Sequence, residues 1–139
     1  MRLNIVSDVH GASGAISTAA KNCDVFICLG DLILFLDYDE PEHGIYADLF
    51  GVDYAKTYIA LRTANHFEQA REFSASAWRG IGVTEPEERW NVLQQKVREQ
   101  YAVMFAAMPS PALLTYGNVD VPALWPAYLQ PEHRVLDGE

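Results

Sequence analysis

Short apolar runs alternate with longer segments of helical periodicity along this chain. The first run contains Leu3, Ile5 and Val6, and similar runs open the segments VFICLG at 25–30 and ALLTYG at 112–117. Each run is brief and is followed by glycine or polar residues, as expected for buried parallel strands whose carboxyl ends carry a site. HRVLDG at 133–138 predicts a fourth strand. The alternation therefore predicts an α/β fold.

Helical segments fill the spaces between these strands. Ala12 to Lys21 is rich in alanine and predicts one short helix, with Ser13 as its candidate cap. Leu32 to Gly51 has no single period and predicts an ordered loop. A helix is then predicted from Asp53 to about Trp78, and Arg79 to Val83, which contains two glycines, ends it.

The most regular helix in the sequence follows this break. Thr84 and Glu87 match a capping box, and Pro86 falls in the first turn. Pro109 and Pro111 end the segment. Large apolar residues recur at spacings of three and four, which predicts a face turned towards the core: Trp90, Leu93, Val97, Tyr101, Met104 and Met108.

Composition restricts the class of protein. The chain has 139 residues, half of them hydrophobic, which is the size of one domain with its own core. A net charge of -9 argues against nucleic-acid binding through a basic surface, although a phosphate substrate held by metal ions is compatible with it. Two cysteines, Cys23 and Cys28, are too few for a secreted disulfide framework. The sequence has no run long enough for a signal peptide or a membrane span, so we expect a cytoplasmic protein with no membrane partner.

Polar side chains that can bind a metal follow three of the predicted strands. Asp8 and His10 follow the first, Asp31 the second, and Asn118 and Asp120 the third. Any one of them could instead be a helix cap or a turn former. If the strands are parallel neighbours, however, these side chains meet at one edge of the sheet. Carboxylate, imidazole and amide oxygen together suit a divalent ion such as Mn, Fe or Zn.

Three short motifs occur in order through these positions. They are D-x-H, G-D and G-N-x-D, here Asp8-Val9-His10, Gly30-Asp31 and Gly117-Asn118-Val119-Asp120. This series, with each motif after a predicted strand, resembles the calcineurin-like metallophosphoesterases. The resemblance covers the N-terminal half of that family's fold. It implies a sandwich of two β-sheets flanked by helices, with a dinuclear metal site at the strand ends.

The resemblance also implies a role for each matched residue. Asp8 and His10 would bind the first of two divalent metal ions, Asp31 would bridge the two ions, and Asn118 would bind the second. In such enzymes the metals activate a bridging hydroxide for in-line attack on a phosphate ester. Many members have a histidine where this chain has Val119. Small single-domain members also lack that histidine, and they rely on the metals.

The later part of the family pattern is absent from this sequence. A further histidine and a G-H-x-H motif supply the remaining ligands in the family, and His43, His66 and His133 match neither. We therefore expect residues 1–139 to form one incomplete domain: a fragment, a truncated product, or a chain completed by another copy or a partner. The resemblance leaves open whether this chain is active by itself.

The connection between the second and third strands is longer than one helical crossover needs. We interpret approximately residues 32–110 as a loop and helical insertion. Its acidic residues face solvent in the simpler interpretation. In the other, the insertion shapes substrate access or contacts a partner, with Asp37, Asp39 and His43 near the metals.

Three hypotheses about function follow from the sequence. The first is a metal-dependent phosphoesterase that acts on phosphomonoesters or phosphodiesters. The second is a non-catalytic protein-interaction scaffold on the same fold. The third sets the resemblance aside and treats the chain as an acidic α/β module whose strand-end polar residues cap helices.

Overall fold

The computed structural model describes residues 1–136 of the chain. In that part a sheet is formed by four strands: β1 (Leu3–Val6), β2 (Val25–Cys28), β3 (Ala112–Leu114) and β4 (His133–Val135). The order in the sheet is β1-β2-β3-β4, and every neighbouring pair is parallel. The predicted α/β class and the four predicted strands are confirmed, and all four strands are parallel, but β1 is not buried as expected because Leu3 and Ile5 are exposed. Asp137 and Gly138, the end of the predicted fourth run, lie outside the described residues.

Helices connect the strands, as the alternating pattern predicted. The described α-helices are α1 (Ser13–Ala19), α2 (Ile45–Phe50), α3 (Val52–Thr63), α4 (Phe67–Gly80) and α5 (Pro86–Ala107). A 3-10 helix covers Pro122–Ala127. The helix α5 begins at Pro86, as the missing backbone donor of proline favours at a helix start.

Three details of the helical segments differ from the prediction. The stretch interpreted as a loop from Leu32 to Gly51 contains α2. The helix expected from Asp53 to Trp78 is two helices, α3 and α4, because Asn65 takes a left-handed backbone conformation with φ +60° between them. Ser13 is the first residue of α1 and not its cap. Ala12 holds the capping position and makes no side-chain hydrogen bond there.

The two faces of the sheet differ in burial. Phe26 and Leu114 point to one face and are almost fully buried. Asn4 lies in register with Phe26 and donates a hydrogen bond from Nδ2 to the Ala19 carbonyl at 2.6 Å, so α1 lies over this face. On the other face, Leu3 and Ile5 of β1 are 46% and 55% exposed. The second face therefore carries apolar side chains at the surface.

The chain forms two compact units. The sheet unit contains Met1–Ile33 and the chain from Val97 onward, and its largest buried side chains include Trp125 and Tyr101. The helical unit is Leu34–Lys96, and Tyr46 lies at the centre of its core. The helical unit falls within the segment interpreted as an insertion. Within residues 1–136, no helix is long and apolar enough to cross a membrane.

The apolar stripe of α5 and the cysteines are mostly buried. Tyr101 and Met104 are at most 1% exposed, whereas Trp90 near the start of the helix is 43% exposed. Cys28 is buried and Cys23 half-buried, and both are free thiols. Burial raises the pKa of the Cys28 thiol, which disfavours the reactive thiolate.

Candidate metal centre

The loops after β1 and β2 bring together Asp8, His10 and Asp31. A ligand atom of each lies within 4.8 Å of the others. Parallel pairing explains the meeting, because Val6 and Cys28 are in register at the carboxyl ends of β1 and β2. Three of the four residues predicted to bind metal therefore share one small region of the sheet unit.

Hydrogen bonds fix the orientation of the His10 ring. His10 Nδ1 lies 2.9 Å from the Ile33 carbonyl oxygen. A carbonyl oxygen can only accept, so Nδ1 carries a hydrogen and the neutral ring leaves a lone pair on Nε2. His10 Nε2 lies 3.9 Å from Asp8 Oδ1, while the Ser7 hydroxyl donates to Asp8 Oδ2 at 2.6 Å. A backbone acceptor behind an imidazole is the usual arrangement for a histidine that binds a metal.

The backbone at this cluster takes an uncommon conformation. Asp8, His10 and Asp31 have φ values of 51°, 39° and 55°. Residues other than glycine seldom adopt such φ values, because the Cβ atom crowds the backbone. Among the described residues, the remaining non-glycine positions with positive φ are Asn22 and Asn65. Asparagine, aspartate and histidine all adopt this region more often than other non-glycine residues. Strained backbone at non-glycine residues concentrates at functional sites in proteins.

Direct backbone bonds join the two loops. His10 N donates to the Asp31 carbonyl at 2.9 Å, and Gly11 N donates to the Leu32 carbonyl at 2.9 Å. The loop after β3 joins them, because Val119 N donates to Asp31 Oδ1 at 2.9 Å. The Asp31 carboxylate therefore stands where the three strand-end loops meet.

Glycine is required where the loops after β2 and β3 pass each other. Gly30 has φ +88°, and a Cβ atom there would meet the Thr115 carbonyl at 2.7 Å and the backbone of Gly117. A Cβ atom on Gly117 would meet the Asp31 carboxylate. The glycines of the G-D and G-N-x-D motifs thus allow the close approach that brings Asp31 to the third loop.

Asp120 links the loops, a role that the sequence analysis missed. One carboxylate oxygen, Oδ2, accepts hydrogen bonds from Asp31 N at 2.7 Å and from Gly117 N at 2.9 Å. The other, Oδ1, accepts from Leu32 N at 3.1 Å and from the Tyr101 hydroxyl at 3.1 Å. The carboxylate is thus engaged by backbone and tyrosine donors of its own unit. Gly30 and Gly117 were a sequence signal that the two loops approach closely. The spacing of residues did not indicate that Asp120 would accept the hydrogen bonds.

Asn118 lies in the same loop and is exposed to solvent. Its neighbour Val119, which is 38% exposed, carries the backbone N–H that contacts Asp31. The predicted amide ligand is therefore one residue away from a direct contact with the cluster. Its binding of a second metal ion stays a prediction.

A second group of acidic and histidine side chains lies in the helical unit. Ligand atoms of Glu40, Glu42 and His43 lie within 4.8 Å of one another, and all three residues are exposed. His43 Nδ1 pairs with Glu40 Oε2 at 2.8 Å. Asp37 accepts bonds from the backbone N–H groups of Asp39 and Glu40, and these bonds lower the pKa of its carboxyl. The group therefore has a structural explanation as a turn with an exposed ion pair.

The other two histidines, His133 and His66, lie outside both acidic groups of the described chain. His133 is 9% exposed, and its Nε2 lies 3.0 Å from the Pro109 carbonyl while its Nδ1 accepts from Gln130 N at 3.2 Å. His133 is therefore buried and bonded to backbone groups close to it in the fold. His66 holds the capping position of α4 and is exposed.

The donors at the cluster suit a divalent cation. Two carboxylates and an imidazole lone pair offer oxygen and nitrogen ligands, the set that Mn, Fe and Zn accept. Asp8 and His10 are 67% and 40% exposed at their side chains, so an ion and a small substrate can reach them. No family model, curated protein or solved structure matches this chain, so the interpretation rests on the geometry and on the motifs.

Proposed function

We propose that the protein is a metal-dependent phosphoesterase. The observation that carries the proposal is the convergence of Asp8, His10 and Asp31, with the His10 Nδ1–H directed at the Ile33 carbonyl. In the neutral imidazole, the lone pair on Nε2 then lies close to the carboxylates of Asp8 and Asp31. Metallohydrolases use such a set to hold an ion that acts on a phosphate ester.

Each residue has a defined part in this proposal. Asp8 and His10 would hold one divalent ion, Asp31 would be shared with a second, and Asn118 would be a ligand of the second. A bound divalent ion supplies Lewis-acid activation of water and neutralises charge on the phosphoryl oxygens. The N–H of Val119 fixes the Asp31 carboxylate by a bond to Oδ1. The protein's part is to position these ligands and to keep the His10 tautomer fixed.

The loop after β3 also restricts the substrate. The Val119 side chain has no group that can donate a proton, and the Asp120 carboxylate is occupied by four hydrogen bonds. No general acid is supplied from either side chain, so the leaving group departs without a proton from this loop. The proposal therefore favours phosphate esters with acidic leaving groups, such as aryl phosphodiesters.

The exposed face of the sheet supports the expectation of a second layer packed against it. Parallel sheets are normally covered on both faces, yet Leu3 and Ile5 are 46% and 55% exposed here. We propose that a second layer covers this face in the functional protein, as in the two-sheet sandwich of the calcineurin-like family. A further segment, another copy or a completing chain could supply that layer.

Metal binding tests the proposal directly. We expect calorimetric titration with Mn²⁺ to show saturable binding that is lost in Asp31→Asn, because the amide replaces a charged ligand with a neutral one. Asp48→Asn is the matched control, since Asp48 is an exposed acid in α2 outside both acidic groups. Equal weakening by both variants would mean that Mn²⁺ binds through general negative charge.

Hydrolysis of an aryl phosphodiester tests the activity itself. We expect Mn²⁺-dependent release of nitrophenol from bis(4-nitrophenyl) phosphate, and none from Asp31→Asn. The assay is run with Mn²⁺, Fe²⁺ and Zn²⁺ in turn. A protein that is inactive with all three ions would refute the enzymatic proposal.

The second candidate is a non-catalytic interaction scaffold on the same fold. Its specific support is the apolar face that carries Leu3 and Ile5, since exposed apolar patches mark interaction surfaces. A scaffold whose metal site has decayed should not bind Mn²⁺ in the calorimetric titration. The two candidates therefore predict opposite results in the same experiment.

A further inference from the structure

A cavity of about 370 Å³ lies within the helical unit. Its walls come from α3, α4 and the first turn of α5. Its charged and aromatic lining residues are Arg62, Arg71, Arg89, Tyr58, Phe67 and Trp78. The volume falls in the range of small-molecule sites in proteins, which is roughly 300 to 1,000 Å³.

The charge of this cavity is opposite to that of the protein. The chain has a net charge of -9 and only 10 lysines and arginines in total, yet three of these arginines line one cavity. No acidic side chain lies among the residues that line it. Such a concentration of guanidinium groups in an acidic protein favours an anionic ligand.

Neither Arg71 nor Arg89 has its guanidinium fully engaged by a partner in the described chain. Arg71 pairs with Glu68 at 3.4 Å, but the two side chains are 76% and 72% exposed, so solvent screens the pair. Within the described chain, Arg89 Nε is buried and has no hydrogen-bond partner. A buried donor without an acceptor is costly, so the Arg89 side chain would be stabilised by an acceptor that can reach Nε.

Aromatic rings hold two of the guanidinium groups in place. The Arg62 guanidinium lies 5.9 Å from the ring centres of Tyr58 and Phe67, and a hydrogen bond to the Tyr58 hydroxyl raises its pKa. The Arg89 guanidinium lies 5.9 Å from the centre of the Trp78 ring. These contacts restrict the arginine side chains before a ligand arrives, which lowers the entropy lost on binding.

We infer that this cavity binds a small phosphorylated molecule with an aromatic ring, of the mononucleotide class. A phosphate dianion matches several guanidinium groups, which bind its oxygens by paired N–H donors. Phe67 contacts the Arg62 guanidinium and is still 54% exposed, so part of its surface is accessible for a base to stack on. The inference concerns a site that shares no residue with the Asp8, His10 and Asp31 cluster, and it does not depend on the proposed hydrolase activity.

Calorimetry with adenosine monophosphate tests the inference, with inorganic phosphate and adenosine as the partial ligands. Because a phosphate ester could also bind at the metal centre, the titrations are made in EDTA and repeated with Asp31→Asn. We expect adenosine monophosphate to bind in both settings, and at least about tenfold more tightly than either partial ligand. Loss of binding in EDTA or in Asp31→Asn would place the ligand at the metal centre and overturn the inference.

Arginine variants locate the binding site. We expect Arg62→Gln and Arg71→Gln each to weaken the binding of adenosine monophosphate by about tenfold, because each removes a charge-assisted contact. Arg79→Gln is the control, since Arg79 is an exposed arginine of α4 outside the cavity lining. Arg71 is exposed, so its variant should fold even if Arg62→Gln does not. Equal weakening by Arg71→Gln and Arg79→Gln, or binding of adenosine as tight as that of the phosphate ester, would refute the inference.

Discussion

Replacement of Asp120 tests whether one carboxylate holds the metal-site loops together. Its two oxygens accept four hydrogen bonds, three from backbone N–H groups and one from the Tyr101 hydroxyl. Asp120→Ala removes every acceptor and leaves the N–H groups of Asp31, Leu32 and Gly117 without a partner. An unsatisfied donor costs about 1 to 3 kcal/mol when buried.

The expected magnitude follows from the partial burial of this carboxylate. The bonds are only partly buried, so water can replace some of them, and about 1 kcal/mol for each of three backbone donors is a reasonable value. We therefore expect Asp120→Ala to lower the free energy of unfolding by about 3 to 4 kcal/mol. Asp120→Asn keeps one oxygen acceptor and should lose less, about 1 to 2 kcal/mol.

Urea denaturation followed by circular dichroism measures these changes. Val119→Ala is the control in the same loop, because Val119 is 38% exposed and its contact with Asp31 is made by the backbone. The control should change the free energy of unfolding by less than about 1 kcal/mol. Asp120→Asn should also weaken Mn²⁺ binding, because the backbone N–H of Asp31 loses its charged acceptor and the Asp31 carboxylate is then held less firmly. A loss below about 1 kcal/mol in Asp120→Ala would refute the linking role.

Two further predictions concern a glycine and a tyrosine. Gly30→Ala should destabilise the protein by more than about 2 kcal/mol, because Gly30 has φ +88° and an added Cβ would meet the Thr115 carbonyl. Gly14→Ala is the control: Gly14 lies in α1 with no atom within 4 Å of the added Cβ, so this variant should be neutral or stabilising. Equal shifts of the melting temperature in the two variants would contradict the prediction. Burial raises the pKa of Tyr46 to about 12, above the ordinary tyrosine value of about 10. The native state therefore favours the neutral phenol: its stabilising contribution is complete below pH 10 and is lost as the pH rises towards 12. Tyr46→Phe should remove one late step from the absorbance titration of tyrosinate, and an unchanged titration would contradict the assignment.

The sequence predicted well which strand-end side chains lie close together. Strand brevity, the polar residues that follow each strand, and the order of the D-x-H, G-D and G-N-x-D motifs predicted that Asp8, His10 and Asp31 converge, and the structure brings them within 4.8 Å of one another. This prediction succeeds because parallel pairing fixes which ends of the strands are adjacent, and pairing follows from local apolar runs. The α5 helix was similarly readable from its 3.6-residue period.

Local patterns did not determine the helical unit. The turn at Asn65 and the short helix α2 were missed, because a single left-handed residue or six helical residues barely change a hydrophobic period. The arginine-lined cavity was also invisible in the sequence. Arg71 is nine positions after Arg62, and Arg89 is eighteen positions after Arg71. Only the packing of their helices places all three in the lining of one cavity.

The sequence by itself determined the type of residue at each strand end and the order of the elements. Only the tertiary structure decided what those residues contact. Asp120 stands beside Val119 in the sequence, yet it bonds the backbone of the loop after β2, 88 and 89 positions away. Hydrogen bonds of that span depend on how two loops pass each other, and Gly30 and Gly117 allow that passage without indicating which acceptor will occupy it.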